Sequence, residues 1–157
     1  MILDRRMFFR RAAAASILGA VGAPLAALAA DRPLLDIARD PTCGCCSAWA
    51  DLAREAGYDV RMRNADDMAA VKEAAGVPDN LRACHTARLD GYVIEGHVPF
   101  EVMSRLLAER PDIAGISVPG MPEGSPGMGS DPSARFDVIA WGGTAGGATV
   151  YHRAGTR

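Results

Sequence analysis

Four cysteines hold most of the chemistry available to this 157-residue chain. Cys43, Cys45 and Cys46 fall in the run Thr42-Cys43-Gly44-Cys45-Cys46, and Cys84 stands apart, much further along. Cys43 and Cys46 have the C-x-x-C spacing, which sets both sulfurs on one side of the first turn of a helix. There the free backbone N–H groups and the helix dipole favour thiolate, the form that attacks disulfides and binds soft metals. Redox chemistry and metal binding would both exploit that pair. Cys45 weighs against simple exchange catalysis, because a third thiol beside an attacking and a resolving one invites scrambled pairing. It is also awkward for a single tetrahedral ion, since neighbouring helix residues point about 100° apart. Bridging thiolates in one turn instead suit a cluster of several soft ions. Soft sulfur selects Cu(I) or zinc over hard ions, and zinc stays in play because Cys-rich tetrahedral sites are its usual structural home. The plain alternative is two structural disulfides, which an even cysteine count in an oxidising compartment allows.

Other soft or borderline donors are fewer. Met121 and Met128 lie in Pro119-Gly120-Met121-Pro122-Glu123-Gly124-Ser125-Pro126-Gly127-Met128. A thioether in such a loop is a candidate copper ligand that oxidation does not lose to a disulfide, with core capping as the alternative. His85 is a candidate through its neighbour Cys84, although adjacent side chains rarely share one ion. His97, shortly before Pro99, is read as a helix-start residue and His152 as a surface histidine. Met62, Met68 and Met103 fall on element faces and are read as packing.

The elements that must position these residues follow from periodicity. Leu34 to Ala38 is a strand broken by Asp40-Pro41-Thr42. Cys46, Trp49, Leu52, Ala53 and Ala56 recur at helical spacing, with Gly57 as the stop. Tyr58 to Arg63 alternates like a half-buried strand. A second helix begins at Asn64 or Asp66, turns Met68, Val71 and Ala75 inward, and ends at Gly76. Ala87 to Glu95 reads as a hairpin about Asp90-Gly91. Pro99 opens a third helix with the stripe Val102, Met103, Leu106 and Leu107, closed by Pro111. Val118 to Pro132 is a Gly/Pro-rich loop, and Phe136 to Trp141 with Ala148 to His152 form a last hairpin. This order predicts a thioredoxin-like α/β fold, a small mixed sheet with flanking helices and an added C-terminal hairpin. In that layout the loop before the third strand lies beside the start of the first helix, so Cys84, with His85, approaches Cys43 and Cys46.

The N-terminus is of a different kind. Arg5, Arg6, Arg10 and Arg11 precede an uncharged Ala-rich stretch from Ala12 to Ala29, the layout of a cleavable export signal. Asp4-Arg5-Arg6-Met7-Phe8-Phe9-Arg10 resembles the bacterial twin-arginine motif. Residues 1–30 are therefore expected to be an export signal and 31–157 one metal-binding domain, periplasmic, with no membrane span after cleavage. Setting aside the four arginines and one aspartate of residues 1–30 reduces the 17 basic and 19 acidic residues to 13 and 18. Such an acidic domain is a poor nucleic-acid partner.

Several separate motifs resemble the domain-of-unknown-function 411 family, whose CopG-type members occur in copper-resistance systems. They are Pro41-Thr42-Cys43-Gly44-Cys45-Cys46 with Trp49, Cys84-His85-Thr86-Ala87, Gly91 to Pro99, and Val118 to Met128. The resemblance implies a periplasmic thioredoxin-like domain binding Cu(I) through Cys43, Cys45, Cys46 and Cys84, with thiols that cycle with disulfides. The function expected is copper handling or resistance, with copper-delivery or thiol-redox proteins as partners. The alternative is a thiol-disulfide oxidoreductase using Cys43 and Cys46. No catalytic residue is assigned.

Overall fold

The computed structural model describes residues 32–155. The expected export signal, its twin-arginine motif and the boundary at residue 30 lie outside those residues. In chain order the strands are β1 (Leu34–Arg39), β2 (Asp59–Asn64), β3 (His85–Leu89), β4 (Tyr92–Gly96), β5 (Gly115–Val118), β6 (Phe136–Trp141) and β7 (Thr149–Ala154). The helices are α1 (Gly44–Glu55), α2 (Met68–Ala74) and α3 (Phe100–Glu109). All strands join one mixed sheet in the order β2-β1-β3-β4-β5-β6-β7. β1 with β2 and β4 with β5 are parallel, and the remaining neighbours are antiparallel.

The predicted strand-helix-strand-helix-hairpin-helix order is present, but the sheet is larger than expected. Gly115 to Val118 is a fully buried strand, where the sequence pattern marks no element over residues 112–117 and the Gly/Pro-rich loop is expected from Val118. Four residues are too few to show a period, and a strand covered on both faces carries no polar alternation. β5 matters because it joins the C-terminal hairpin to β4, so that the hairpin extends the sheet.

The two faces of the sheet differ in chemistry. Leu35, Ile37, Leu89, Ile94 and Ile116 point to the face covered by Trp49 of α1 and Met103 and Leu106 of α3, all fully buried. On the other face Val93 and Trp141 pack with Val77 and Leu81. There the indole N–H of Trp141 donates to the Gly76 carbonyl at 3.0 Å. Along the same face Thr86, Glu95 and Ser117 stand side by side on β3, β4 and β5, all buried. Lys72 of α2, 6% exposed, bonds to Thr86 and Glu95 from above. This corrects the expected inward face of α2, because Met68, Val71 and Ala75 are only partly buried while Lys72 is the buried residue. Asp67, rather than Asn64 or Asp66, caps α2, its carboxylate accepting from the Ala70 N–H.

Turn chemistry follows the sequence closely elsewhere. Asp90 and Gly91 both adopt positive φ, as a tight two-residue hairpin turn requires. Gly115 is needed for another reason: a Cβ there would overlap the Val93 carbonyl oxygen and lie 2.6 Å from the Trp141 ring. Gly115→Ala is expected to destabilise the domain by about 1–3 kcal/mol, as overpacking of a filled core does. Urea denaturation reads this directly, and an unchanged midpoint would show that the β4-β5-β6 ladder has slack that the geometry denies.

Candidate metal centre

Two chain segments meet at one end of the sheet. β1 and β3 are antiparallel with Arg39, the last residue of β1, opposite His85, the first of β3. The chain leaving β1 toward Cys43 therefore starts beside the chain arriving through Cys84. The first segment is folded by a local turn in which the Asp40 carboxylate accepts the Thr42 N–H and hydroxyl. The Thr42 bonds hold that carboxyl below the usual range. The Cys43 N–H donates to the Asp40 carbonyl at 3.1 Å, and the Arg39 guanidinium donates to the Cys43 carbonyl at 2.9 Å. Cys43 becomes the cap of α1 in extended conformation with no side-chain cap bond, so Cys45 and Cys46 occupy a first turn whose N–H groups are not capped by a side chain.

Cys43 and Cys46 are joined in a disulfide, while Cys45 and Cys84 are free. Two structural disulfides are thus not what the chain forms. The four Sγ atoms all lie within 4.8 Å of one another. Cys43 Sγ and Cys45 Sγ are 3.5 Å apart, and since a disulfide sulfur has no hydrogen, Cys45 is the donor.

Cys84 is shared with a second group of donors. His85 and His97 bring nitrogen atoms within 4.8 Å of each other and of Cys84 Sγ. His97 Nε2 lies 3.1 Å from that sulfur, and His97 Nδ1 lies 2.7 Å from the Pro126 carbonyl oxygen. A carbonyl only accepts, so Nδ1 carries the proton and the Nε2 lone pair faces Cys84. Fixing a tautomer in this way is how proteins prepare a ligating histidine. His97 is therefore no helix-start residue: α3 is capped by Pro99, and His97 is completely buried. Gly96 makes the difference. At φ +72 it turns the chain inward where a Cβ would lie 2.6 Å from that of Ala83. Gly96 before His97 was the available signal.

The centre is mostly uncharged. The Cys84 thiol is pushed up to about 12, chiefly by burial and then by the adjacent Cys45, with Lys72 acting weakly the other way. Burial pushes His85 down to about 3, with further lowering by the neighbouring His97 and by Lys72. Burial also lowers His97, partly offset by its bond to Pro126. His85 stacks against Trp49 with ring centroids 4.5 Å apart; its Nδ1 lies 3.4 Å from Cys84 Sγ, and its buried Nε2 has no hydrogen-bond partner. Trp49 is itself held, its indole N–H donating to the Val98 carbonyl at 3.1 Å.

The Gly/Pro-rich loop covers this end of the sheet. Gly127 approaches α1 so closely that a Cβ would lie 2.9 Å from the Trp49 nitrogen and 3.3 Å from the Cys45 carbonyl oxygen. Met128 follows it and is half-buried, whereas Met121 is 36% exposed with φ of 47°. His152 pairs with Arg105 at β7, in the C-terminal hairpin.

Converging thiols and a tautomer-fixed imidazole beneath a covering loop are groups whose chemistry suits soft metals or thiol-disulfide exchange. The family described as "Protein of unknown function, DUF411" matches residues 81–128, the stretch that contains Cys84, His85, His97 and the covering loop. Two solved structures described as "Copper resistance protein copG", Form 1 and Form 2, are each 39% identical to this chain. Each match covers 78% of this chain and 98% of the other, with a TM-score of 0.72. The chain belongs to this DUF411, CopG-type family. No curated protein matches it.

The titration of His85 gives the fold a readable acid sensitivity. An unfolded histidine takes its proton near 6.5, whereas the folded one resists until about 3. Between those values the unfolded chain holds the extra proton, so stability falls as pH falls, by up to about 1.4 kcal/mol per pH unit for one such group. His85→Phe is expected to make stability less steeply dependent on pH across that window, by about one proton. Denaturation at a series of pH values measures it; an identical slope would assign the acid sensitivity to other groups.

Proposed function

We propose that the chain is an exported copper-handling protein whose reduced cysteines Cys43, Cys45, Cys46 and Cys84 bind Cu(I) as a thiolate cluster. The observation that carries this reading is the convergence of four sulfur atoms within 4.8 Å of one another, from two distant segments. Thiolates are soft donors suited to Cu(I), and they bridge, so the site takes more than one ion. Similarity to the copper resistance protein supports copper over zinc as the cargo. His85 and the thioethers of Met121 and Met128 are the further donors of the reading, and His97 joins them through its free Nε2. Export through the twin-arginine signal and residence in the periplasm complete it. Among the described residues no helix is long and apolar enough to cross a membrane.

Loading requires the Cys43–Cys46 disulfide to open. That step takes two electrons and two protons from a dithiol reductant, which itself becomes a disulfide. Ligation then releases the thiol protons, Cys84 contributing one that burial holds tightly. A copper-delivery protein and a thiol-redox protein are the partners this chemistry calls for.

Anaerobically reduced protein titrated with Cu(I) against a competing chelator should bind more than one equivalent per chain, and Cys84→Ser should lower both stoichiometry and affinity. Equal binding by Cys84→Ser would remove Cys84 from the site. The existing disulfide in a C-x-x-C at a helix start favours a second reading, a thiol-disulfide oxidoreductase using Cys43 and Cys46. Sustained insulin reduction by metal-free protein would promote it, and absence of turnover would dismiss it.

A further inference from the structure

Cys84 is delivered by a short 3-10 turn, Asp79–Leu81, and residues 82–84 outside any helix or strand, yet buried side chains hold this segment from several sides. The Ser117 hydroxyl donates to the Leu81 carbonyl at 2.6 Å. Glu95 Oε1 accepts the Ala83 backbone N–H at 2.6 Å and the Lys72 ammonium at 2.6 Å. Glu95 Oε2 accepts the Thr86 hydroxyl at 2.7 Å, and Lys72 also donates to that hydroxyl oxygen at 3.1 Å. Glu95 thus bonds the residues on either side of the Cys84-His85 pair. Gly96 lets Ala83 pack directly against the end of β4.

We propose that the buried Lys72–Glu95 pair is a positioning device for Cys84, with Glu95 fixing the Ala83 backbone and the Thr86 side chain so that the sulfur stands at the metal centre before any ion arrives. Stability alone is a poor reason for such a pair. Two charges withdrawn from water seldom gain more from each other than well-packed apolar groups would. A carboxylate with every oxygen engaged does, however, specify one arrangement of the groups it binds. Glu95 is completely buried and accepts three donors from three chain segments: α2, the Ala83 loop and β3. Outer partners of this type typically set metal affinity by about 10- to 100-fold.

The proposal rests on Cys84 as a metal ligand, so its test includes a reading taken without metal. Two double variants separate positioning from charge. K72M/E95Q removes both charges but keeps a side-chain oxygen for the Ala83 N–H; K72M/E95L removes that acceptor too. In metal-free protein, hydrogen exchange should leave the Ala83 amide protected in K72M/E95Q and exposed in K72M/E95L. In Cu(I) competition K72M/E95L should bind about 10- to 100-fold more weakly than K72M/E95Q. Equal Ala83 protection, or equal Cu(I) affinity, in the two variants would overturn the proposal. If wild-type protein binds no Cu(I), the proposed function fails, and amide exchange alone still decides whether Glu95 holds the Cys84 segment. Should K72M/E95L not fold, Ser117→Ala deletes the neighbouring tether without stranding a charge. It should then weaken both readings relative to wild type, and no change in either would count against the tethering.

Discussion

The antiparallel pairing of Arg39 with His85 is the constraint on which the centre depends. It places the exit from β1 and the entry to β3 at the same edge of the fold. Thiols on one helical turn cannot by themselves surround an ion, because their side chains fan outward from the helix axis. A donor from another segment has to face them, and antiparallel strands supply one without a long insertion. The chain then needs only a tight turn at Asp40 to start α1 and a tethered loop at Ala83 to present Cys84. The core on the α1 and α3 side secures the first segment through Trp49, and the polar seam on the α2 side secures the second.

The electrostatics of the centre suit the proposed soft cation. Burial makes a lone thiolate or a protonated imidazole costly, so in the metal-free protein Cys84 keeps its proton and the histidines stay neutral. A bound soft cation reverses that balance, since it neutralises the thiolates that burial penalises. Lys72, a buried cation near Cys84, is already matched by Glu95. It therefore biases the site modestly rather than filling the place of an ion.

Legibility in the sequence tracked how local each cause was. The Cys43-to-Cys46 spacing, the Asp90-Gly91 turn, the helix α1 stopped at Gly57 and the last hairpin are set by residues near one another in the chain, and the structure has them, although Leu52 and Ala56 of the expected α1 stripe are exposed and Ala50 is buried in their stead. The approach of Cys84 to α1 followed from element order, which is itself a sum of local signals. What escaped notice depends on partners far along the chain. Nothing near Lys72 in the chain announces Glu95 as its partner, and β5 has too few residues to declare itself without β4 and β6 beside it. His97 looked like part of a helix start because its true partners, Cys84 and Pro126, come from two other loops.

The disulfide changes more than the number of available ligands. While Cys43 and Cys46 are joined they offer no thiolate, and the donor group left intact at this end of the sheet is Cys84, His85 and His97. That group is one sulfur and two imidazoles, harder on average than the four-sulfur group of the reduced chain. Nitrogen donors suit divalent copper or zinc, whereas an all-thiolate group selects Cu(I). For the proposed site, opening or closing one bond at the start of α1 would thus change the preferred ion as well as the capacity. No large movement is needed for this, because Cys84 belongs to both donor groups and is held in place from the opposite face of the sheet.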